Sequence, residues 1–347
     1  MHQFKFVVLF FFLLTAGNLI YSGETDKTLL QQSRSVKKYM QQQKQAAVSL
    51  AKKQGFPVHA HTADGATLEL MAIENNRPVY YTDHNARAAA TSNTDKIRIN
   101  EAMGYPLSGA GQKLAMWESG VPRPDHRELE GRIHIMDNDA DTAKHATHTA
   151  GTLIASGLDP HAKGMAFTAD LNAFDWSLDL AEMTAQAGSG LILSNHSYGP
   201  QAGWVHNLFE DNKWAWFGDA AIDSLEDYQF GFYSNRVREW DNLLSGAPYY
   251  LVVISAGNDR SDRGPDFGSH WVFADGEWKT STREREPDGG ADGYDSINGP
   301  ALAKNVLTVG AVKPLYNTLS PTDDIYMTRF SSWGPSERRS SRWPPSK

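Results

Sequence analysis

The chain of 347 residues contains no cysteine. That excludes a cysteine nucleophile, a thiolate metal site and disulfide staples. A chain of this length can build a sizeable core without staples, so the absence assigns no compartment. Positive charge is also in short supply: 33 Lys and Arg stand against 41 Asp and Glu, a net charge of −8. Such a balance leaves no electrostatic footprint for nucleic acid or an anionic membrane. Long apolar runs are missing as well, with one exception. Lys5 precedes the run Phe6–Leu14, and Thr15, Gly17 and Asn18 follow it. A bilayer span takes about 20 apolar residues. The run is shorter, and residues 1–22 read as a secretory signal peptide with Ser22 and Gly23 as cleavage positions. The alternative is an anchor reaching Ile20. A secreted or periplasmic protein with no stable membrane association is expected. What is plentiful is aromatic: 10 Trp and 13 Tyr, usable for core or cleft.

From Thr28 to Lys53 the chain is rich in Gln and Lys, with Val36, Tyr39, Met40, Ala47 and Leu50 spaced as an amphipathic helix that Gly55 and Pro57 end. Leu68, Leu70 and Ala72 alternate with polar residues, Asn75–Asn76 offers a turn, and Val79 and Tyr81 alternate again. This predicts a hairpin. Arg87–Asp95 reads as an exit linker. Residues 23–107 are thus expected to form a small α+β unit and its linker. After Gly109 the rhythm changes. Apolar runs at Lys113–Trp117, Leu191–Leu193, Tyr250–Ile254 and Val306–Val309 alternate with helical stretches at His145–Ser156, Leu178–Gln186 and Arg236–Leu244. The pattern predicts an α/β domain with a mostly parallel sheet and helices on both faces. Sites in such sheets lie at the carboxyl ends of the strands, where Glu118 and Asn258 fall. Gly203–Tyr233, with Trp204, Trp214 and Trp216, and the charged segment Asp259–Asp295 read as surface insertions. The first is expected to be a loop with its own aromatic cluster, the alternative being the wall of a substrate cleft.

The most specific stretch is His145-Ala-Thr-His-Thr-Ala-Gly151-Thr-Leu-Ile-Ala. A histidine opening a helix among small residues suits a general base held where the helix packs closely on a sheet. This block resembles the histidine block of the subtilisin-like serine proteases, usually H-G-T-H-x-A-G-T, with Ala146 in place of the usual glycine. The resemblance implies that His145 is the general base and His148 is structural. It places the orienting acid in a D-[ST]-G turn after the first catalytic strand. Here the turn reads Glu118-Ser119-Gly120, one methylene longer than usual. The later Asp125-His126-Arg-Glu128-Leu resembles the family's H-x-E-L segment and fixes the register. Tyr250-Leu-Val-Val-Ile-Ser255-Ala-Gly257-Asn258 resembles the strand ending in A-G-N. It implies Asn258 as oxyanion donor and Ser255, Ala256 and Gly257 as substrate-binding residues. Leu191-Ile-Leu-Ser-Asn195-His-Ser197-Tyr198-Gly199 looks like the N-x-S-x-G strand. There Ser197, Tyr198 and Gly199 would pair with a polypeptide substrate as an added β-strand. Gly164–Asp175 and Asn305–Val312 resemble further core strands.

The resemblance spans about Gly109–Pro335, and a catalytic domain is expected over residues 108–335, preceded by a pro-segment. The family's serine follows in a G-T-S-x-[AS]-x-P block. No such block occurs in these 347 residues. Phe330-Ser-Ser-Trp-Gly-Pro335 resembles the approach to it. Ser336–Lys347, polar and proline-bearing, then reads as a disordered, unrelated tail left by a frameshift or early stop. The expected protein is a serine endopeptidase by family that is incomplete and inactive alone, with apolar sheet surface left bare. The alternatives are a non-catalytic peptide-binding protein on the same fold and a zinc protein built on His145 and His148, which lacks the Glu of H-E-x-x-H. No cofactor is required by this reading. Asp288, Asp292 and Asp295 are calcium candidates by resemblance, but their spacing matches no defined loop and a solvated face is expected.

Overall fold

The computed structural model describes residues 32–61, 67–74, 77–83, 107–137, 140–159, 162–290, 293–313 and 325–334, with the single positions 92, 94 and 97. The expected signal peptide at 1–22, Asp292 and the expected tail Ser336–Lys347 lie outside the described residues, as does most of the expected linker.

Residues 32–54 form helix α1, with Met40, Ala47 and Ala51 buried along one stripe. Gly55 ends it at φ 77°, returning its N–H to the Ala51 carbonyl at 2.8 Å, a left-handed cap that glycine adopts without strain. Strands His59–His61 (β1), Thr67–Glu74 (β2) and Arg77–Asp83 (β3) follow, β2 and β3 pairing antiparallel as the alternation predicts.

The central sheet is built from Lys113–Glu118 (β4), Ile133–Ile135 (β5), Asp170–Asp175 (β6), Leu193–His196 (β7), Leu251–Ser255 (β11) and Val306–Val309 (β14). Its order is β14-β11-β7-β4-β6-β5 and every pairing is parallel. Helices Lys144–Ile154 (α2), Asp179–Gly188 (α3) and Asn235–Gly246 (α4) connect the strands. The α/β fold with a parallel sheet is as the sequence rhythm predicts. The third strand starts later than its apolar run suggests: Ile192 is exposed and β7 begins at Leu193.

Side chains alternate between the faces. Ala115, Trp117, Val252 and Ile254 join α3 and α4 in one core cluster, while Leu114, Met116, Leu171 and Ala173 join α2 in another. Among the described residues, only part of the sheet is covered on this second face. Beyond β7, Leu251, Leu307 and Val309 are 43%, 50% and 47% exposed.

The two insertions are not separate loops. Trp204–His206 (β9) and Trp214–Trp216 (β10) from the first, with His270–Ala274 (β12) and Glu277–Ser281 (β13) from the second, form one four-stranded sheet in the order β13-β12-β10-β9. This corrects the expectation of a self-contained aromatic loop. The sheet packs on the N-terminal unit: Ala47, Ala51, Phe56, Leu68, Leu70 and Tyr80 share a core cluster with Val205, Leu208, Ala215, Phe217 and Phe273. Strand Tyr198–Pro200 (β8) continues the N-terminal sheet as β1-β2-β3-β8. Among the described residues, no helix is long and apolar enough to cross a membrane.

Candidate active site

β4 ends at Glu118, and the chain turns at once through Ser119 and Gly120. A side chain at position 120, where φ is 154°, would meet the Asp141 carbonyl oxygen at 2.4 Å, so only glycine allows this approach. The approach lets Val121 pair with the segment leading into α2: its N–H donates to Asp141 and its carbonyl accepts from Ala143, both at 2.9 Å. α2 therefore starts beside the end of β4. Ala146 and Ala150 are fully buried against the sheet, small enough for close packing.

This geometry brings the predicted acid and base together. His145 Nδ1 lies 2.8 Å from Glu118 Oε2. The Glu118 residue is fully buried, and the His145 side chain retains 18% exposure. Toward an ionised carboxylate Nδ1 would be the donor, which leaves Nε2 as the acceptor nitrogen of a neutral ring. The extra methylene of glutamate is accommodated without losing the bond.

The far end of α2 is held by a residue to which motif reading gave only a register. Glu128 accepts from Ser156 Oγ, and from the N–H groups of Gly157, Leu158 and Asp159, at 2.8–3.0 Å. These donors hold its carboxyl down at about 2.

Asn258 follows β11 at the same carboxyl edge and is half-buried. Only β7 separates β11 from β4, two strand spacings or about 10 Å. Ser255, at the end of β11, and Gly257 are half-buried, and Ala256 is buried. Behind Gly257, at φ 109°, sit the Asp259 carboxyl and the Ser332 hydroxyl, which are hydrogen-bonded at 3.1 Å. Burial pushes Asp259 up to about 7.

The expected substrate strand is not open in this conformation. Asp83, Thr82 and Tyr81 of β3 pair antiparallel with Tyr198, Gly199 and Pro200. Tyr198 points its ring into the core and donates to Asp179 at 2.9 Å. Ser197 Oγ accepts from Asn195 Nδ2 at 2.9 Å.

His196, to which sequence reasoning gave no role, is fully buried and stacks on Trp117 with centroids 5.1 Å apart. Because Tyr198 donates to Asp179, its oxygen accepts from His196 Nδ1 (3.1 Å). His196 Nε2 then accepts from Ser194 (2.8 Å), which accepts from Tyr250 (2.7 Å). Arg236 closes the chain on Asp179 at 3.1 Å. Desolvation holds the His196 imidazole neutral, down to about 3. This network fixes β7 between the strands that carry Glu118 and Asn258. Its signal in the sequence was weak, because a lone histidine in a strand announces nothing.

His148 is exposed one turn beyond His145. Among the described residues, no group of three or more His, Cys, Asp or Glu is placed to hold a metal ion. The solvated face expected for Asp288 is corrected: the residue is buried and accepts from the Trp204 N–H at 2.9 and 3.2 Å. Burial beside Asp262 and Asp259 raises its carboxyl well above the usual range. A charged residue read as surface is here a cap for backbone.

Among solved structures, the chain is similar to the CspB protease of Clostridium perfringens, at 11% identity and a TM-score of 0.41, over 72% of this chain and 77% of that one. It is similar to a cold-adapted subtilisin-like serine proteinase at 18% identity and a TM-score of 0.30, over 63% and 82%. A protease of the type VII (ESX-3) secretion system gives 16% and 0.32, over 60% and 54%. No curated protein matches the sequence. The profile of the subtilase family matches residues 109–344, running past Pro335 into the segment expected to be an unrelated tail. That match takes in both strand ends and the whole of α2, and the chain belongs to the subtilase family.

Proposed function

We propose that this site serves serine-type peptide-bond hydrolysis. His145 acts as general base toward a serine hydroxyl and returns the proton to the leaving amine. Glu118 fixes the imidazole tautomer and stabilises the imidazolium, and Asn258 donates to the tetrahedral oxyanion. The observation that carries this reading is the 2.8 Å bond from His145 Nδ1 to a fully buried carboxylate at a strand end. Polypeptide substrate lies along Ser197–Gly199 with a side chain toward Ser255–Gly257, once β3 is displaced from β8. Residues 23–107 act as the pro-segment-like unit, 108–335 as the catalytic domain, and the apolar run after Lys5 directs export.

The nucleophile is not supplied by any G-T-S block in these 347 residues, so the chain by itself forms no acyl-enzyme. The exposure of Leu251, Leu307 and Val309 beyond β7, with no helix over them among the described residues, supports this, because parallel sheets are covered on both faces. A fluorophosphonate probe tests the reading. The chain alone is expected to stay unlabelled, and a fusion carrying a relative's serine segment is expected to label in a His145-dependent way. Labelling of the unextended chain at one of its own serines would place the nucleophile elsewhere and overturn this assignment.

A second reading, a non-catalytic peptide-binding protein, is favoured by one observation: β8 already accepts an antiparallel strand. Binding of extended peptides without any labelling of the fusion would favour it.

A further inference from the structure

The turn that carries Asn258 is gripped from behind by residues 328–333. Ser332 is buried and bonds the residue on either side of Asn258. Its N–H donates to the Gly257 carbonyl at 3.0 Å, and its Oγ accepts the Asp259 N–H at 3.3 Å. The same Oγ donates to the Asp259 carboxyl at 3.1 Å, since a hydroxyl can accept and donate at once. That carboxyl is buried, and the N–H groups of Asn258 and of Asp259 itself also face it. It fills the space beside Gly257, 2.6 Å from where a side chain there would begin. Arg260 fastens the next residue along. Its N–H donates to the Phe330 carbonyl at 3.3 Å, its Nε to that of Ser331 at 2.8 Å and its Nη2 to that of Thr328 at 2.5 Å. Its guanidinium lies 3.9 Å from the Trp333 ring centroid.

An asparagine before a helical turn ordinarily caps it with its own side chain. Asn258 precedes the 3-10 turn Asp259–Ser261 and makes no such bond, so its amide is not engaged there. The turn is instead set by Ser332 and Asp259. Burial, with the buried acids Asp227 and Asp288 nearby, raises the Asp259 carboxyl, while the Ser332 hydroxyl and the two N–H groups draw it down. The balance leaves it at about 7.

We propose that Asp259 and Ser332 are positioning residues for Asn258, holding its turn at the carboxyl edge of β11. The proposal rests on the reading of Asn258 as oxyanion donor and adds the residues that aim it. A reacting or stabilising group displaced by about 1 Å can cost on the order of 100-fold in rate. The grip therefore acts on turnover rather than on ground-state binding.

Two measurements test it. In the full chain, proton–nitrogen NMR follows the backbone and side-chain amide signals of Asn258 from about pH 5 to 9. Both are expected to titrate with a midpoint near 7 in the wild type. Asp259→Asn should abolish that titration, and Ser332→Ala should move it to higher pH, because a donor favouring the charged carboxyl is gone. In the fusion carrying a relative's serine segment, Ser332→Ala is expected to lower kcat about 10-fold with KM changed less than about twofold. Asp259→Asn, whose amide copies the protonated acid, should retain more turnover than Asp259→Ala. An Asn258 side-chain amide indifferent to pH and to both substitutions overturns the proposal, and so does a Ser332→Ala loss carried entirely by KM. A fusion with no turnover at all would count against the hydrolytic reading instead, and the NMR signals of the unextended chain would still decide the positioning.

Discussion

One face of the central sheet has two halves, and they behave differently. Over β5, β6 and β4 lies α2, whose Ala146 and Ala150 are fully buried and whose first turn holds His145 against Glu118. Over β11 and β14 no helix lies among the described residues, and Leu251, Leu307 and Val309 stay close to half exposed. On the opposite face, α3 and α4 share one core cluster with residues of β6, β4 and β11. The difference shows what a covering helix does: packing a helix of small residues onto the strands brings His145 to Glu118, while the other half presents apolar side chains outward.

This contrast can be broken most forcefully from the opposite face. Trp117 precedes Glu118, stacks on Phe174 at 4.5 Å and on His196, and is fully buried. Trp117→Ala is expected to cost about 3–5 kcal/mol in urea unfolding, by removing the floor beneath the site. On α2 the two sides should diverge. Ala150→Leu overpacks the sheet side and should cost about 1–3 kcal/mol. Gly151, with nothing within 4 Å of where a side chain would stand, should gain up to about 1 kcal/mol as alanine. Equal losses from both would mean that α2 is enclosed on both sides.

A smaller effect is read against pH. Glu182 accepts from Trp117 Nε1 at 3.0 Å, and burial, with Asp137 beside it, pushes its carboxyl from an ordinary 4.5 to about 8. The folded state therefore keeps a proton that the unfolded chain loses. The stability this brings is complete below about pH 4.5 and is lost as pH rises through 8. Asp259, raised to about 7, acts in the same direction. Glu182→Gln, whose amide copies the protonated acid, should flatten the decline of stability between pH 5 and 8 by on the order of 1 kcal/mol. An unchanged slope would remove Glu182 as its source. The smallest effect belongs to the exposed half. Leu307→Lys with Val309→Lys should change stability by less than about 0.5 kcal/mol per site while lowering light scattering at high concentration.

The placement of the candidate site was legible because its signals are local. His145 opens a helix within one block, Glu118-Ser119-Gly120 closes a strand, and Asn258 closes another, so strand ends and a parallel sheet place all three on one edge. The insertion sheet was not legible, because its strands are only three to five residues long and pair across wide gaps, Ala215 with Trp271 among them. Charge also misled there: Asp288, read as part of a solvated face, is buried and accepts the backbone N–H of Trp204. The docking of the N-terminal unit rests on contacts such as Arg77 with Phe273, 196 residues apart, which no window of sequence can display.

The most direct measurement is proton NMR of the imidazole N–H groups in selectively labelled protein. A strongly downfield signal from His145 Nδ1–H, lost in both His145→Gln and Glu118→Ala while the fold persists, is the predicted result. A His145 Nδ1 that exchanges freely with water, or a signal that survives Glu118→Ala, would contradict the acid–base pair on which the functional reading stands.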